Sequence, residues 1–187
     1  VGTDTRRLSV FKFETPTQSE FSLIIPKKAI SEIQKLFFDK IEIYYDENTL
    51  IAQSQNFEFF TKLINGKFPD YNRVIPQEIK KRLKLSRDKM LEGIKTVSII
   101  SDTMKITFAP QTITFESIVE DNSEAKTVID FQTGLDEEIN IGVRNRYLLD
   151  FLSNIEENDF ELGFNDSNLA FTVSSNELKT VIMPINL

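Results

Sequence analysis

Two acidic clusters contain the side chains of this sequence that are best suited to catalysis. Residues 136–138 read Asp-Glu-Glu, and residues 156–159 read Glu-Glu-Asn-Asp. Such carboxylates could serve as a general acid and a general base. However, both clusters fall in predicted turns, no glycine-rich phosphate loop adjoins them, and adjacent side chains do not converge. The clusters therefore indicate solvated surface charge, and an enzyme that uses carboxylates remains the catalytic alternative.

The composition excludes active sites that depend on His or Cys. The 187 residues include no Cys and no His. Without His, a catalytic dyad or triad built on imidazole is excluded, and without Cys there is no thiolate and no disulfide. A zinc site would need carboxylate ligands alone, which is an unusual ligand set. We therefore expect no metal and no cofactor, and the absence of Cys fits a reducing compartment.

Charge and hydropathy restrict the environment of the protein. The formal net charge is −7, which argues against non-specific binding to nucleic acid unless a local basic face overrides the total. The sequence shows no signal peptide and no apolar run of bilayer length. We therefore expect a soluble, cytoplasmic protein.

The apolar pattern repeats three times, each time as one strand, one helix and three strands. Residues 1–13 read as a strand in progress, and 14–20 as a polar loop. The first copy then has a strand at 21–25, a helix at 27–38 and strands at 40–45, 49–55 and 57–64. The second copy has the same elements at 79–85, 87–100, 104–109, 112–119 and 125–131. The third copy has them at 139–143, 144–154, 160–164, 169–173 and 178–183.

The repeat predicts how the copies associate. Only residues 132–137 separate the second copy from the third, so these two copies should form one domain with two helices on sheets. The first copy has no partner copy in this chain. We therefore expect that the natural protein extends upstream of Val1 and that the chain is a fragment.

Each predicted helix has an apolar face and an outer face that carries at least one cation. The inward positions are Ile30, Ile33 and Phe37, then Met90, Leu91, Ile94 and Val97, then Leu148, Phe151, Leu152 and Ile155. The outward cations are Lys28, Lys35, Lys95 and Arg146. Mixed charge is usual on a solvated helix face. The functional alternative is a weakly basic surface that contacts a phosphate backbone without base recognition.

The C-terminal stretch is apolar up to its last residue. Residues 181–183 continue a predicted strand, and Pro184 has no backbone N–H to donate, so strand pairing should stop there. Ile185 and Leu187 are then apolar residues without a strand of their own. Two interpretations remain open. Either the tail packs on the core, or it borders an apolar groove that receives a partner.

Four motifs resemble a known family. Residues 3–8 (Thr-Asp-Thr-Arg-Arg-Leu), 25–29 (Ile-Pro-Lys-Lys-Ala), 68–76 (Phe-Pro-Asp-Tyr-Asn-Arg-Val-Ile-Pro) and 183–187 (Met-Pro-Ile-Asn-Leu) resemble the beta subunit of bacterial DNA polymerase III, the sliding clamp. The motifs follow the order and spacing of the family along the whole chain. The resemblance implies an α+β DNA clamp fold with helices on the inner face of the sheets. It also implies that residues 1–77 are the C-terminal half of clamp domain 2 and 78–187 a complete domain 3.

The function implied by the resemblance is not catalytic. A clamp encircles duplex DNA as a homodimeric ring, without sequence preference, and raises polymerase processivity by tethering it. Its partners are the DNA polymerase III alpha and delta subunits and other proteins with a clamp-binding motif. The polymerase holoenzyme is a nucleotidyltransferase, whereas the clamp has no active site. The helix cations Lys28, Lys35, Lys95 and Arg146 would face the DNA.

The resemblance also implies a groove that binds short partner peptides with Leu and Phe anchors. In this sequence, the matching positions are Thr3, Thr5, Arg6, Arg7, Leu8, Pro69, Arg73, Val74, Arg144, Tyr147, Val181, Ile182, Met183, Pro184 and Ile185. The apolar members could line a pocket, and Arg7 and Arg73 could hold peptide carbonyl groups. Three positions depart from the family: Thr5 replaces a frequent Gly, Arg6 a frequent His, and Asn186 a frequent basic residue. The alternative function is a β-rich interaction module unrelated to replication.

Ring closure is not expected for the chain as given. In the family, domain 3 of one subunit contacts domain 1 of the other, and no sequence that matches domain 1 is recognised here. We therefore expect no stable ring dimer in light scattering of this chain. A dimer with the mass and radius of a closed ring would contradict the assignment of these residues to domains 2 and 3.

Overall fold

The computed structural model describes residues 1–14, 20–118 and 124–187. The helices are α1 Lys27–Leu36, α2 Arg87–Ser98 and α3 Asn145–Ser153. The strands are β1 Gly2–Thr3, β2 Arg7–Phe11, β3 Glu42–Tyr45, β4 Thr49–Gln53, β5 Glu58–Lys62, β6 Lys81–Ser86, β7 Thr103–Phe108, β8 Thr112–Ser117, β9 Lys126–Asp130, β10 Ile139–Arg144, β11 Asp159–Phe164, β12 Phe171–Ser175 and β13 Leu178–Ile182.

The three predicted helices are confirmed, and so are the strands that follow them, each with bounds within two residues of the prediction. Two predicted elements lie partly outside the described residues. These are the end of the predicted strand at 112–119 and most of the polar loop at 14–20.

Contacts divide the chain into two units. The larger unit is Val1–Glu14 with Tyr71–Leu187, and the smaller unit is Thr15–Asp70. The first fourteen residues therefore pack with the second half of the chain, because β2 pairs with β13. The predicted domain boundary after residue 77 stays a prediction, since a contact unit and a repeat unit need not coincide.

The larger unit contains two antiparallel sheets. One has the strand order β1-β2-β13-β12-β11-β6, and the other has the order β10-β7-β8-β9. Helix α2 packs on β6 to β9, α3 packs on β10, and the two helices contact each other. Apolar side chains from both sheets and both helices form the main core. The architecture is the predicted α+β class, with helices laid on antiparallel sheets.

The apolar faces of α2 and α3 point into this core as predicted. Met90, Ile94 and Val97 of α2 are buried, and so are Leu148 and Leu152 of α3. The side chain of Arg87 joins the two helices, because its Nε–H donates to the carbonyl oxygen of Leu152 at 2.8 Å. A cation at the C-terminal end of α3 also interacts favourably with the helix dipole.

The smaller unit contains α1 and the three-stranded sheet β3-β4-β5. Ala29 is the buried residue of α1, whereas Ile30 is 40% exposed, so its predicted inward position is wrong in this structure. The predicted strand at 21–25 is also wrong. The backbone bond from Ile64 N–H to Ile24 C=O is a single contact, and a strand needs a ladder of such bonds.

The opening stretch is two strands and not one. β1 and β2 form a hairpin in which Thr3 pairs with Leu8, and a turn at residues 4–6 separates them. The turn forms because Asp4 Oδ1 accepts hydrogen bonds from the backbone N–H groups of Arg6 and Arg7, at 3.1 and 3.0 Å. Short polar side chains such as Asp commonly close turns in this way.

Gly93 allows α2 to lie close to β8. A Cβ added at Gly93 would overlap the ring of Phe115, which is fully buried. We predict that Gly93→Ala destabilises the fold by about 1–3 kcal/mol, because overpacking outweighs the gain of about 1 kcal/mol in helix propensity. Urea unfolding followed by far-ultraviolet circular dichroism measures this change.

Gly2→Ala is the matched control, because a Cβ at Gly2 meets nothing within 4 Å. It should leave the unfolding midpoint nearly unchanged. A Gly93→Ala variant as stable as the unmodified chain would contradict the close helix–sheet packing.

Candidate functional site

The pairing of β2 with β13 brings two predicted site segments together. In the antiparallel register, Leu8 lies opposite Val181 and Arg7 lies opposite Ile182. One residue further along the chain, the N–H of Met183 donates to the carbonyl oxygen of Arg6 at 2.9 Å. Residues 6–8 and 181–183 are therefore direct neighbours, although more than 170 residues separate them in sequence.

Successive side chains of a strand point to opposite faces of the sheet, so these neighbouring residues lie on two different faces. Leu8 and Val181 form a small apolar cluster with Val10, against which Tyr71, Ile75 and Ala170 pack. All three members of the cluster are buried. The cluster provides an apolar base on this face of the sheet.

Ile182 lies on the opposite face and belongs to the main core, with no exposed surface. Arg7 shares that face, because it is the cross-strand partner of Ile182. Of the predicted groove residues, Ile182 is therefore fully buried in the core and does not line a surface.

Arg7 contacts an aromatic ring and two carboxylates. Its guanidinium carbon lies 4.7 Å from the ring centre of Tyr147. Its Nε and Nη1 bind Asp4 Oδ2 at 3.0 Å and Asp150 Oδ2 at 2.7 Å. Partial burial opposes the charge of Arg7, but the bonds to Asp150 and Asp4 outweigh it and raise the pKa of the guanidinium. Arg7 is therefore a fixed cation.

The turn at residues 4–6 carries Thr5 in an unusual backbone conformation. Thr5 has φ of 73°, in the left-handed region that β-branched residues rarely adopt. The hydroxyl of Thr3 holds the turn, because it donates to Arg7 C=O at 2.7 Å and accepts from Thr5 N–H at 3.2 Å. Partial burial raises the pKa of Asp4, but the hydrogen bonds from Arg6 and Arg7 lower it overall. Thr3, Thr5 and Arg6 are exposed.

The C-terminal tail packs on the edge of the second sheet. The N–H of Ile185 donates to the carbonyl oxygen of Gly142 in β10 at 2.9 Å. A Cβ at Gly142 would lie 2.6 Å from Ile185 O, so glycine permits this close approach. The tail thus packs on the core, as in the first interpretation. Met183 nevertheless stays 41% exposed, which leaves a role in partner binding open.

The other predicted groove residues lie on the surface. Arg73 ends a 3₁₀ turn at Tyr71–Arg73, and Arg73 and Val74 are exposed. Arg144 is exposed at the end of β10, where α3 begins. Pro184 is half-buried in the tail, and Pro69 is an exposed residue of the smaller unit.

Sequence reasoning missed several residues that the site uses. Tyr71 and Ile75 cover the apolar cluster, and Asp4 and Asp150 bind Arg7. The signal for Asp150 was present in part, because it lies three residues after Tyr147 and four after Arg146 on α3. These spacings place residues on one side of a helix. Helical spacing does not predict that β2, which carries Arg7, pairs with β13.

The four predicted DNA-facing cations are exposed. Lys35 on α1 binds Glu32 at 2.8 Å, and Arg146 on α3 lies 3.5 Å from Asp150. Lys28 also lies on α1, and Lys95 on α2. Exposed ion pairs of this kind contribute little to stability and are screened by salt.

The described part of the chain contains neither a metal-binding cluster nor a membrane-spanning helix. Within residues 1–14, 20–118 and 124–187, no group of three or more carboxylates could hold a metal ion. No helix in those ranges is long and apolar enough to cross a bilayer.

Two family descriptions together match nearly the whole chain. The C-terminal domain of the DNA polymerase III beta subunit matches residues 72–186, and the central domain of that subunit matches residues 1–70. A beta sliding clamp of Helicobacter pylori strain J99 is 33% identical over the whole chain, which covers 54% of that protein. A beta sliding clamp of Vibrio cholerae is 26% identical, again over the whole chain and 54% of that protein. The chain therefore spans about half the length of these relatives.

Solved structures agree with the sequence matches. The Helicobacter pylori beta clamp bound to a DNA ligase peptide has a TM-score of 0.91 and 33% identity, and the match covers the whole chain and 53% of that structure. The DNA polymerase III beta subunit of Pseudomonas aeruginosa has a TM-score of 0.90 and 25% identity, over 99% of the chain and 54% of that structure. The fold is thus that of the sliding clamps.

The positive φ of Thr5 should strain the turn at residues 4–6. We expect Thr5→Gly to stabilise the larger unit by about 1 kcal/mol, because glycine adopts a positive φ without strain. The midpoint of urea unfolding measures the gain. Thr5→Ala is the control, since it shortens the side chain but keeps a Cβ, and it should gain less. A Thr5→Gly variant that is less stable than the unmodified chain would show that the turn does not hold a strained residue.

Proposed function

We infer that this chain, which belongs to the DNA polymerase III beta subunit family, forms about half of a bacterial sliding clamp. In this role it is a non-catalytic processivity factor and not an enzyme. The whole clamp encircles duplex DNA in the cytoplasm as a homodimeric ring and tethers replication and repair proteins. The matches to the central and C-terminal domains of the family support this assignment.

The observation that carries the proposal is the site built on β2 and β13. The solved clamp from Helicobacter pylori binds a DNA ligase peptide and superimposes on the whole chain. We assign the same class of partner to this chain, namely proteins that carry a clamp-binding peptide, including the DNA polymerase III alpha and delta subunits. The 15 predicted groove residues remain the proposed contact set, with Ile182 buried in the core.

The chemistry of the site suits apolar peptide anchors. Leu8 and Val181 form a buried base, and Val74 and Met183 each expose apolar surface. Burial of one Leu or Phe side chain contributes about 1.5–3 kcal/mol. The unbranched thioether of Met183 can adjust to different anchors, so one site can accept several partners.

The proposed contact with DNA needs only weak attraction to phosphate. A closed ring retains DNA by enclosure, so the lining does not need to grip it. The exposed cations Lys28, Lys35, Lys95 and Arg146 are the proposed DNA-facing residues. A net charge of −7 is compatible with this role, because attraction between exposed charges is local at physiological salt.

The proposed domain division follows the family. Residues 1–77 correspond to the C-terminal half of domain 2, and residues 78–187 to a complete domain 3. The two family matches meet at residues 70–72, close to that boundary. Neither alternative function has comparable support, because the clamp matches span the chain.

A fluorescent peptide tests the proposed partner site. We predict that fluorescein-labelled Gln-Leu-Ser-Leu-Phe binds with a Kd of about 10 μM, or about −7 kcal/mol. Met183→Ala should weaken binding about five- to tenfold, because it removes an exposed apolar contact from the site. Fluorescence anisotropy measures both affinities.

The matched control is Val128→Ala, which removes an apolar side chain that is 53% exposed on β9. This variant should bind like the unmodified chain. No binding of the peptide by the folded chain, or equal binding by the Met183→Ala variant, would contradict the proposed site.

A further inference from the structure

Asp150 on α3 contacts two arginines through one carboxylate oxygen. Its Oδ2 lies 2.7 Å from Arg7 Nη1 and 3.5 Å from Arg146 Nε. Arg7 comes from β2, whereas Arg146 is one turn earlier on the same helix. The shorter distance shows that Arg7 is the main partner of Asp150.

Arg7 is held from three directions. Asp4 binds its Nε at 3.0 Å, Asp150 binds its Nη1, and the ring of Tyr147 lies against the guanidinium. The side chain of Arg7 is 20% exposed, against 45% for Asp150. An isolated exposed ion pair orders a side chain weakly. Two carboxylates and an aromatic face acting on one guanidinium order it much more strongly.

The carboxylates of Asp4 and Asp150 bind Arg7 from different structural elements. Asp4 lies three residues before Arg7, and its other oxygen caps the turn, so its contact is local to the hairpin. Asp150 reaches Arg7 from another element. It therefore fixes the guanidinium relative to α3 and hence relative to Tyr147, which is on the same helix.

We propose that Asp150 is a positioning residue of the partner site, which holds Arg7 against Tyr147 before a peptide arrives. This inference rests on the proposed function. A guanidinium has five N–H donors, and the bonds to Asp4 and Asp150 use two of them. A pre-ordered guanidinium loses less side-chain entropy when a peptide carbonyl binds another donor. Asp150 acts on the peptide through Arg7 and makes no contact of its own.

The shared oxygen makes Arg146 a competitor for Asp150. If Asp150 acts by positioning Arg7, removal of Arg146 leaves the carboxylate to Arg7 alone and does not weaken peptide binding. If the net charge of this surface acted on the peptide instead, the labelled peptide, which is anionic through its C-terminal carboxylate and its fluorescein, would bind more tightly after loss of the Asp150 charge and more weakly after loss of the Arg146 charge. The two substitutions together therefore separate positioning from general electrostatics.

The experiment compares four variants by anisotropy with the labelled peptide Gln-Leu-Ser-Leu-Phe. Asp150→Asn should weaken binding about three- to tenfold, and Asp150→Glu, which keeps the charge, should remain within about twofold of the unmodified chain. Arg146→Ala should bind at least as tightly as the unmodified chain. Asp159→Asn is the matched control. It removes an exposed carboxylate of β11 that pairs with Lys84 of β6, and these two strands lie at the opposite edge of the sheet from β2.

A second measurement follows Arg7 without any peptide. In ¹H–¹⁵N spectra, the Nε–H of an ordered arginine exchanges slowly with water. The Arg7 signal should be sharp in the unmodified chain and in the Asp150→Glu variant, and should broaden or shift in Asp150→Asn. A change in overall stability would alter many signals of the spectrum. A change confined to the Arg7 signal therefore indicates a local loss of order.

The outcomes separate the inference from the proposed function. If the unmodified chain does not bind the peptide, the proposed function fails, and the Arg7 signal still decides whether Asp150 orders Arg7. If Asp150→Asn binds the peptide like the unmodified chain, or keeps an Arg7 signal that is both sharp and unshifted, the positioning role is wrong. Equal weakening by Asp159→Asn would also overturn it, because the effect would then not be specific to Arg7.

Discussion

The antiparallel pairing of β2 with β13 is the constraint on which the site depends. It joins the first strands of the chain to the last one and gives the larger unit its six-stranded sheet. The register sends Leu8 and Val181 to one face and Arg7 and Ile182 to the other. One pair of strands thus contributes both the apolar cluster and Arg7, which binds Asp4, Asp150 and Tyr147. A shift of one residue would exchange these faces and place Arg7 where the apolar cluster needs Leu8.

Two backbone hydrogen bonds attach the C-terminal tail to neighbouring segments of the larger unit. The N–H of Met183 bonds to Arg6, and Ile185 bonds to Gly142, so the tail is fixed on both sides of Pro184. Pro184 itself lacks a backbone donor, which ends the regular ladder of β13. The glycine at 142 accommodates the tail because a Cβ would overlap it. Packing therefore explains the apolar character of Val181, Ile182 and Ile185, while the side chain of Met183 is exposed.

Local patterns predicted most of the fold, and contacts between distant segments account for what they missed. The helices α2 and α3 were predictable because their apolar residues repeat with helical spacing and pack on sheets in the larger unit. The stretch at 21–25 has the residues of a strand, but strand formation also needs a neighbouring strand to pair with. Ile30 has the right spacing for the core face of α1 and is still 40% exposed. The resemblance brought Arg7 and Tyr147 into one site, whereas the role of Asp150 depends on the strand–helix contact that only the structure shows.

The central claim is that the β2–β13 pair forms the partner site, and a peptide titration followed by NMR tests it most directly. In ¹H–¹⁵N spectra of the labelled chain, the account predicts that amide shift changes concentrate at residues 3–8, 73–75 and 181–185. These segments should respond together, with one affinity. Shift changes concentrated on β8 and β9, with residues 6–8 and 181–183 unaffected, would contradict the account and place the partner site on the other sheet.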